Sequence, residues 1–114
     1  MIVRGVTDRA VFSDRKMGKS DLLAANQLFS GLNCFLPGQT HQLHTHPGQD
    51  KLYFVLEGRG DVTIDGRTET VEAGDLVMAP ESVPHALHNP GPGRLVVLTV
   101  MAPPPRFKRR ASGS

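Results

Sequence analysis

Turn-forming residues divide this sequence into short segments, and their spacing constrains the fold more than any other feature. Twelve glycines and nine prolines occur in 114 residues, and they cluster between short apolar stretches. Asp65-Gly66, flanked by residues 61–64 and 67–72, is the strongest β-hairpin signal in the chain. Short strands separated by such turn residues, with almost no helical pattern, predict an all-β fold: an antiparallel β-barrel or jelly roll.

The chain is short enough to form one domain with a modest core. Strands are predicted at residues 27–36, 40–46, 51–57, 61–64, 67–72, 75–79, 85–89 and 94–101. Residues 1–26 form an N-terminal arm, with short strands at 3–6 and 10–12 and one helical turn after Ser20 as its N-cap. The barrel is expected to span residues 1–102. Residues 103–114, three prolines and then a basic run, predict an extended, disordered tail.

Charge and cysteine content narrow the class of protein. The net charge is +2, but residues 106–114 alone carry four positive charges, so the remaining nine Lys and Arg face eleven Asp and Glu. The body has no basic stripe interleaved with aromatic residues, which argues against a nucleic-acid partner. No apolar run is long enough to span a membrane, and no signal segment is evident. Cys34, the only cysteine, predicts a buried inert thiol and a cytoplasmic location.

His44 and His46 lie two residues apart in the predicted strand 40–46. Because alternate residues of a strand point to the same face, the two imidazoles could converge on one metal ion. An isolated His-x-His pair is also compatible with solvent-facing or structural histidines. The same alternation predicts that His41 lies on the opposite face, outside the barrel, and that His88 faces away from His85.

Two stretches resemble the sequence motifs of the cupin superfamily. The first family motif is Gly, five residues, His-x-His, three or four residues, Glu, six residues, Gly. Gly38, His44, His46 and Gly58 match it, with Lys51 at the position of the Glu. This resemblance implies that the predicted barrel is a cupin jelly roll.

The second family motif is Gly, five residues, Pro-x-Gly, two residues, His, three residues, Asn. Gly74, Pro80, His85 and Asn89 match it, with Ser82 in place of the second Gly. The resemblance implies that His44, His46 and His85 are ligands of a divalent transition metal: Fe, Mn, Ni, Cu or Zn. The alternative is a metal-free pocket whose histidines make hydrogen bonds.

Lys51 departs from the family pattern because it places an ammonium where relatives have a ligating carboxylate. It could turn away to Asp50, Glu57 or solvent, lie neutral in the site, or accompany a weak or absent metal. Gln49 shares its strand parity and is a candidate replacement ligand. Tyr53 lies on the same face and is either a pocket residue or an ordinary core aromatic, so Lys51 and Tyr53 are the candidate catalytic residues.

A ligand set without a carboxylate favours a small anionic or carbonyl-containing ligand, because the metal keeps its full charge. The resemblance implies a metalloenzyme that acts on a small organic acid, carbonyl compound or sugar acid, of the dioxygenase, isomerase or lyase type. The alternative is a non-catalytic small-molecule-binding module. Small cupins commonly dimerise through an exposed sheet, and Leu52, Phe54 and Leu56 need cover on one face of strand 51–57, so a homodimer is expected.

Overall fold

The computed structural model of the chain describes residues 1–105. A short 3-10 helix, Val6–Arg9, precedes strands that form two antiparallel sheets. The strands are β1 Gly18–Ala24, β2 Phe29–Phe35, β3 Thr40–His44, β4 Asp50–Glu57, β5 Arg59–Ile64, β6 Arg67–Glu72, β7 Leu76–Ala79, β8 His85–His88 and β9 Leu95–Ala102.

The two sheets form the predicted jelly roll. One sheet has five strands in the order β1-β2-β9-β4-β7, and the other has four in the order β3-β8-β5-β6. Consecutive strands alternate between the sheets, except at the β1–β2 and β5–β6 hairpins, so each sheet contains strands distant in sequence. Between the sheets lies an apolar core that includes Phe35, Val55, Leu87, Leu95 and Val97.

The N-terminal arm differs from the sequence-based prediction. Residues 18–24 form strand β1, not a helical turn, and the short strands expected at 3–6 and 10–12 are absent from this part of the structure. Residues 22–25 favour helix by composition, but β1 pairs with the edge of β2, where Gly18 lies opposite Cys34. Leu22 also packs against the cluster of Leu32 and Cys34. Tertiary packing therefore overrides the local helix preference.

The outer face of the five-stranded sheet is covered at one end by the N-terminal arm. Val6, Ala10 and Phe12 pack against a buried cluster that contains Cys34 and Val96. Cys34 is fully buried, and burial raises the pKa of its thiol. The prediction that the thiol is buried is therefore confirmed. Its raised pKa opposes formation of the reactive thiolate.

The same outer face is uncovered at its other end. Leu76 is 65% exposed, Met78 53% and Phe54 37%. Phe54 pairs with Leu76 and Leu52 with Met78 across β4 and β7, so these four side chains form one contiguous surface, called here the apolar patch. Strand β4 is thus covered on its inner face and only partly on its outer face.

The chain continues to pack after β9 ends. Pro105 is buried, and the carbonyl oxygen of Pro103 accepts a hydrogen bond of 2.8 Å from the Gln49 side chain. Residues 103–105, predicted to belong to an extended tail, therefore lie against the body of the domain. The rest of that predicted tail, residues 106–114, lies outside the described residues. Among residues 1–105, no helix has the length and hydrophobicity needed to cross a bilayer.

Candidate metal centre

Three imidazoles meet on the inner face of the four-stranded sheet. His44 ends β3 and lies directly opposite His85, the first residue of β8, while His46 follows in the loop after β3. The ring centroids of His44 and His85 are 4.1 Å apart, and those of His44 and His46 are 4.7 Å apart. One ring nitrogen from each histidine lies within 4.8 Å of the other two. The three side chains are therefore close enough to share one ion.

Backbone carbonyls fix the orientation of two of these rings. His44 Nδ1 donates to the carbonyl oxygen of Gln42 at 2.6 Å, and His85 Nδ1 donates to that of Val83 at 2.9 Å. A proton on Nδ1 leaves a lone pair on Nε2, and both Nε2 atoms are buried with no hydrogen-bond partner within residues 1–105. Histidines that bind metal typically anchor their other nitrogen in this way. The donor set thus fits a divalent transition metal.

The imidazoles are also in the protonation state that a metal requires. Burial lowers the pKa of His44 to about 4, even though its bond to Gln42 opposes the shift. Burial is likewise the leading cause that lowers the pKa of His46 and of His85, with the nearby Lys51 charge contributing. All three rings are therefore neutral at pH 7, and no proton has to leave before a metal binds.

A fourth histidine, His41, lies in the same cavity, so the prediction that it faces outward is wrong. A β-bulge falls between His41 and His44, because three steps along β3 match only two along β8, from Leu87 to His85. The extra residue brings His41 and His44 to the same face, with ring centroids 4.3 Å apart. Gln42, two residues before His44, is exposed. Burial, followed by the Lys51 charge, lowers the pKa of His41 to about 3.

The histidines line a cavity of about 500 Å³, a volume typical of small-molecule sites. Strands β1, β2, β4 and β9 of the opposite sheet supply most of its other walls, and residues 103–105 complete them. The cavity therefore lies between the two sheets, with the imidazoles on one side and the five-stranded sheet on the other.

Lys51 lies inside this cavity and is 3% exposed. It does not turn to either neighbouring carboxylate: Asp50 accepts a hydrogen bond from a backbone amide, and Glu57 pairs with Arg94. Burial is the main cause that lowers the pKa of Lys51 to about 8, and the charge of Lys19 adds to it. The option that Lys51 turns away is therefore wrong: its side chain lies in the site with a weakened hold on its proton, which is closest to the option of a neutral lysine there.

Tyr53 lies beneath Lys51 in the core. Its side chain is 1% exposed, its ring centroid is 5.0 Å from Lys51 Nζ, and its ring lies 6.2 Å from that of His85. The hydroxyl is buried without a hydrogen-bond partner among the described residues, and burial raises its pKa. Tyr53 supports the side chains that line the cavity but does not itself line it. A catalytic role for Tyr53 stays a prediction.

Gln49 is buried and lines the cavity, as a replacement ligand would require. Its amide nitrogen, however, donates to the carbonyl oxygen of Pro103. The visible role of Gln49 is therefore to hold residues 103–105 against the cavity. Metal ligation by its side-chain oxygen stays a prediction.

Comparison with known proteins agrees with this geometry. A family model described as a cupin domain matches residues 31–101, a range that begins within β2, ends within β9 and contains all of the histidine site. The chain belongs to the cupin family.

This cupin resembles proteins of several functions. The solved structure of TT1209 from Thermus thermophilus superposes with a TM-score of 0.88 at 30% identity, covering 92% of this chain and all of that one. Gentisate 1,2 dioxygenase 1 of Aquipseudomonas alcaligenes is 40% identical over 63 residues, covering 54% of this chain and 17% of the relative. The oxalate-binding protein of Thermotoga maritima is 31% identical over 65 residues, covering 57% and 54%. The chain spans about half the length of several curated relatives that it matches.

The glycines of the two cupin motifs have a common structural reason. Gly38, Gly58 and Gly74 have φ values of 87°, 85° and 99°, a region that residues with a Cβ rarely adopt. Ser82 replaces the remaining motif glycine and still has a φ of 63°. The departure from the family pattern at Ser82 therefore changes the residue but not the backbone that the motif requires.

Two buried polar residues of the cavity in this cupin escaped the sequence analysis. Asn33 and Thr99 are 4% and 3% exposed and line the cavity from β2 and β9. Both strands were predicted from the sequence. In each strand the other residues on the same face are largely apolar, so a single polar residue on that face was the available signal. Which face points into the barrel could be assigned only from the sheet pairing.

Proposed function

We propose that this cupin binds a divalent transition metal through His44, His46 and His85 and acts on a small organic acid, carbonyl compound or sugar acid. The observation that carries the proposal is the pair of buried, unpartnered Nε2 atoms on His44 and His85. Iron, manganese, nickel, copper and zinc all suit three neutral imidazoles. Such a metal supplies Lewis acidity or, for iron and copper, redox chemistry.

The charges around the site support an anionic ligand. The group of residues that could hold a metal contains three histidines and no carboxylate, within the part of the chain that the structure describes. The metal would therefore keep its full charge, and Lys51 adds an ammonium in the same cavity. An anionic or enolisable oxygen is the ligand that this environment stabilises. The relatives named as an oxalate-binding protein and a gentisate dioxygenase lend support.

Lys51 is the proposed catalytic residue of the chain itself. Its side chain can hold a carboxylate or enolate oxygen in the cavity, and its lowered pKa of about 8 allows it to give up a proton near neutral pH. Tyr53 is the proposed positioning residue, because its ring lies under the ammonium.

Dioxygenase, isomerase and lyase reactions all fit this arrangement, and a non-catalytic binding module is the alternative. The identity of the bound metal separates the dioxygenase from the other possibilities. Redox-active iron supports a dioxygenase, whereas zinc or nickel leaves an isomerase, a lyase or simple binding. Consumption of a bound acid then distinguishes the two enzymes from the binding module.

The metal site is tested by elemental analysis of the purified protein after reconstitution with each metal. His44→Gln and His85→Gln should lose the metal that the wild type retains. His88→Gln is the matched control, because His88 lies 2.6 Å from the Thr40 hydroxyl through Nδ1 and does not line the cavity. Equal metal content in all four proteins, or none in the wild type with any metal, would refute the proposal.

A homodimer is the proposed assembly, formed through the apolar patch of Leu52, Phe54, Leu76 and Met78. Exposed apolar surfaces of this kind commonly mark protein–protein contacts. Cytoplasmic location is proposed on the single buried thiol of Cys34, which fits a reducing compartment.

A further inference from the structure

The wall of the cavity opposite the histidines contains polar groups that the protein leaves unpaired. Thr99 Oγ1 and Asn33 Nδ2 are buried, and neither has a hydrogen-bond partner within residues 1–105. Both side chains line the cavity. A buried donor without an acceptor is destabilising. Two such groups in one cavity therefore indicate that their acceptor comes from a molecule that enters it.

Lys51 continues the same row of donors. Asn33 lies on β2, Thr99 on the neighbouring β9 and Lys51 on the next strand, β4. In the sheet register, Asn33 is diagonal to Thr99, and Thr99 is diagonal to Lys51, on the inner face of the sheet. Diagonal neighbours in a sheet are about 7 to 8 Å apart. Asn33 and Lys51 are two such steps apart, but the Lys51 ammonium reaches back over Tyr53, which lies opposite Thr99. Asn33, Thr99 and Lys51 are called here the donor row.

Lys51 makes the charge at the donor row positive. Its ammonium forms no ion pair with a carboxylate among residues 1–105. The other charged residues that line the cavity are Lys19 and Asp21, both exposed on the edge strand β1. The buried part of the wall thus offers an amide N–H, a hydroxyl and an ammonium.

Lys51 lies near the histidines across the cavity. Its charge contributes to lowering the pKa of His41, His46 and His85, and all line the same cavity except His85, whose ring lies 6.2 Å from that of Tyr53. One ligand in this cavity can therefore meet Lys51 at one end and the imidazoles at the other.

We propose that the donor row is a carboxylate-binding subsite, and that the ligand of the cavity is a small acid with two oxygen functions. Its carboxylate is held by Asn33, Thr99 and Lys51, and its second carboxylate, keto or hydroxyl oxygen faces His44, His46 and His85. An amide N–H, a hydroxyl and an ammonium all donate to carboxylate oxygens, and bonds to a charged acceptor are the stronger ones. The second anchor rests on the proposed metal site, whereas the donor row does not.

The test is calorimetric titration of the full chain, with metal loaded, against succinate and against butyrate. The two probes have the same length and differ in one carboxylate. Succinate should bind the wild type at least about tenfold more tightly, because only it satisfies both ends of the cavity. Thr99→Val and Asn33→Leu should each remove about a tenfold factor of succinate affinity, and Lys51→Met more, with metal content unchanged.

Matched controls separate the subsite from general effects. Thr68→Val removes a surface hydroxyl that contacts Thr63, and Lys16→Met removes an exposed charge. Both should leave succinate affinity as in the wild type. Thr99→Val should melt no lower than the wild type, because it deletes an unpaired buried hydroxyl and keeps the side-chain shape. If Asn33→Leu does not fold, Asn33→Asp serves instead, since it keeps the size and repels a carboxylate.

The outcomes distinguish this inference from the proposed metal function. Normal metal loading with equal affinity for succinate and butyrate, or a succinate affinity that Thr99→Val and Lys51→Met leave unchanged, would overturn the subsite and leave the metal site standing. If the wild type binds no metal, titration of the metal-free protein with butyrate still decides the matter. Butyrate affinity that falls in Thr99→Val and Lys51→Met supports the subsite, and unchanged affinity overturns it.

Discussion

Replacement of Lys51 by methionine should stabilise the metal-free protein at neutral pH and lose that advantage at alkaline pH. The Lys51 ammonium is buried beside neutral rings and has no carboxylate partner among the described residues. Its charged form is therefore less favourable in the folded than in the unfolded chain. Methionine has similar length and no charge, so it removes this penalty while it fills most of the same space.

The size of the effect follows from the shift in pKa from 10.5 to about 8. One pKa unit corresponds to about 1.4 kcal/mol, so the penalty on the charged form is about 3 kcal/mol. Because the folded pKa is the lower one, the unfolded chain binds more protons between about pH 8 and 10.5, and stability rises with pH across that window. Between pH 7 and pH 10 the wild type should gain about 2 to 3 kcal/mol relative to Lys51→Met.

The assay is reversible unfolding in a chelator at pH 7, 8, 9 and 10, for the wild type, Lys51→Met and the control Lys16→Met. Groups that Lys51 does not influence cancel in the differences, and the histidines whose pKa values its charge lowers are already neutral across this pH range. A gap of about 2 kcal/mol corresponds to about 10 °C in melting temperature for a domain of this size. Parallel pH profiles for the wild type and Lys51→Met would refute the reasoning, because they would mean that the ammonium is not penalised in the folded protein.

Four further variants test the backbone and the surface. Gly58→Ala should lower the unfolding free energy by about 3 kcal/mol or more, and Gly38→Ala by about 1 kcal/mol, because both residues have positive φ but only at Gly58 would a Cβ overlap the carbonyl oxygen of Arg94. Equal losses for the two variants in denaturant unfolding would contradict this reasoning. Ser82→Gly should raise the unfolding free energy by about 0.5 to 1 kcal/mol, because the backbone already has a left-handed φ there, and a lower stability would argue against strain at Ser82. Leu76→Glu, in the apolar patch, should convert a homodimer into a monomer in light scattering, and a monomeric wild type would remove the basis for the proposed interface.

Periodicity and turns in the sequence were sufficient to predict the architecture. The hairpin of β5 and β6 and the strands that hold His44 and His85 follow from local pattern, because alternation and glycine turns are local properties. Strand β1 was missed because residues 22–25 favour helix locally, and pairing with β2 overrides that preference. The packing of residues 103–105 was missed because it depends on Gln49, which is 54 residues away from Pro103 in the sequence.

The candidate site was predictable only as far as the resemblance to the cupin motifs reached. That resemblance implied the ligand set of His44, His46 and His85, and the structure brings these three side chains together. His41 could not be assigned, because one bulged residue reverses the face on which every preceding side chain of the strand lies. Asn33 and Thr99 required knowledge of which strands are neighbours, and that is set by topology, not by sequence distance.

Strand β3 is at the edge of its sheet, and this placement affects how quickly a metal could leave. It pairs only with β8, is five residues long and is interrupted by the bulge, so it should open more readily than the strands between two neighbours. An ion held by His44 and His85 would bind this edge to the interior strand beside it. Metal release would then be limited by fraying of one strand, and amide hydrogen exchange in residues 40–44 should slow selectively when the site is filled.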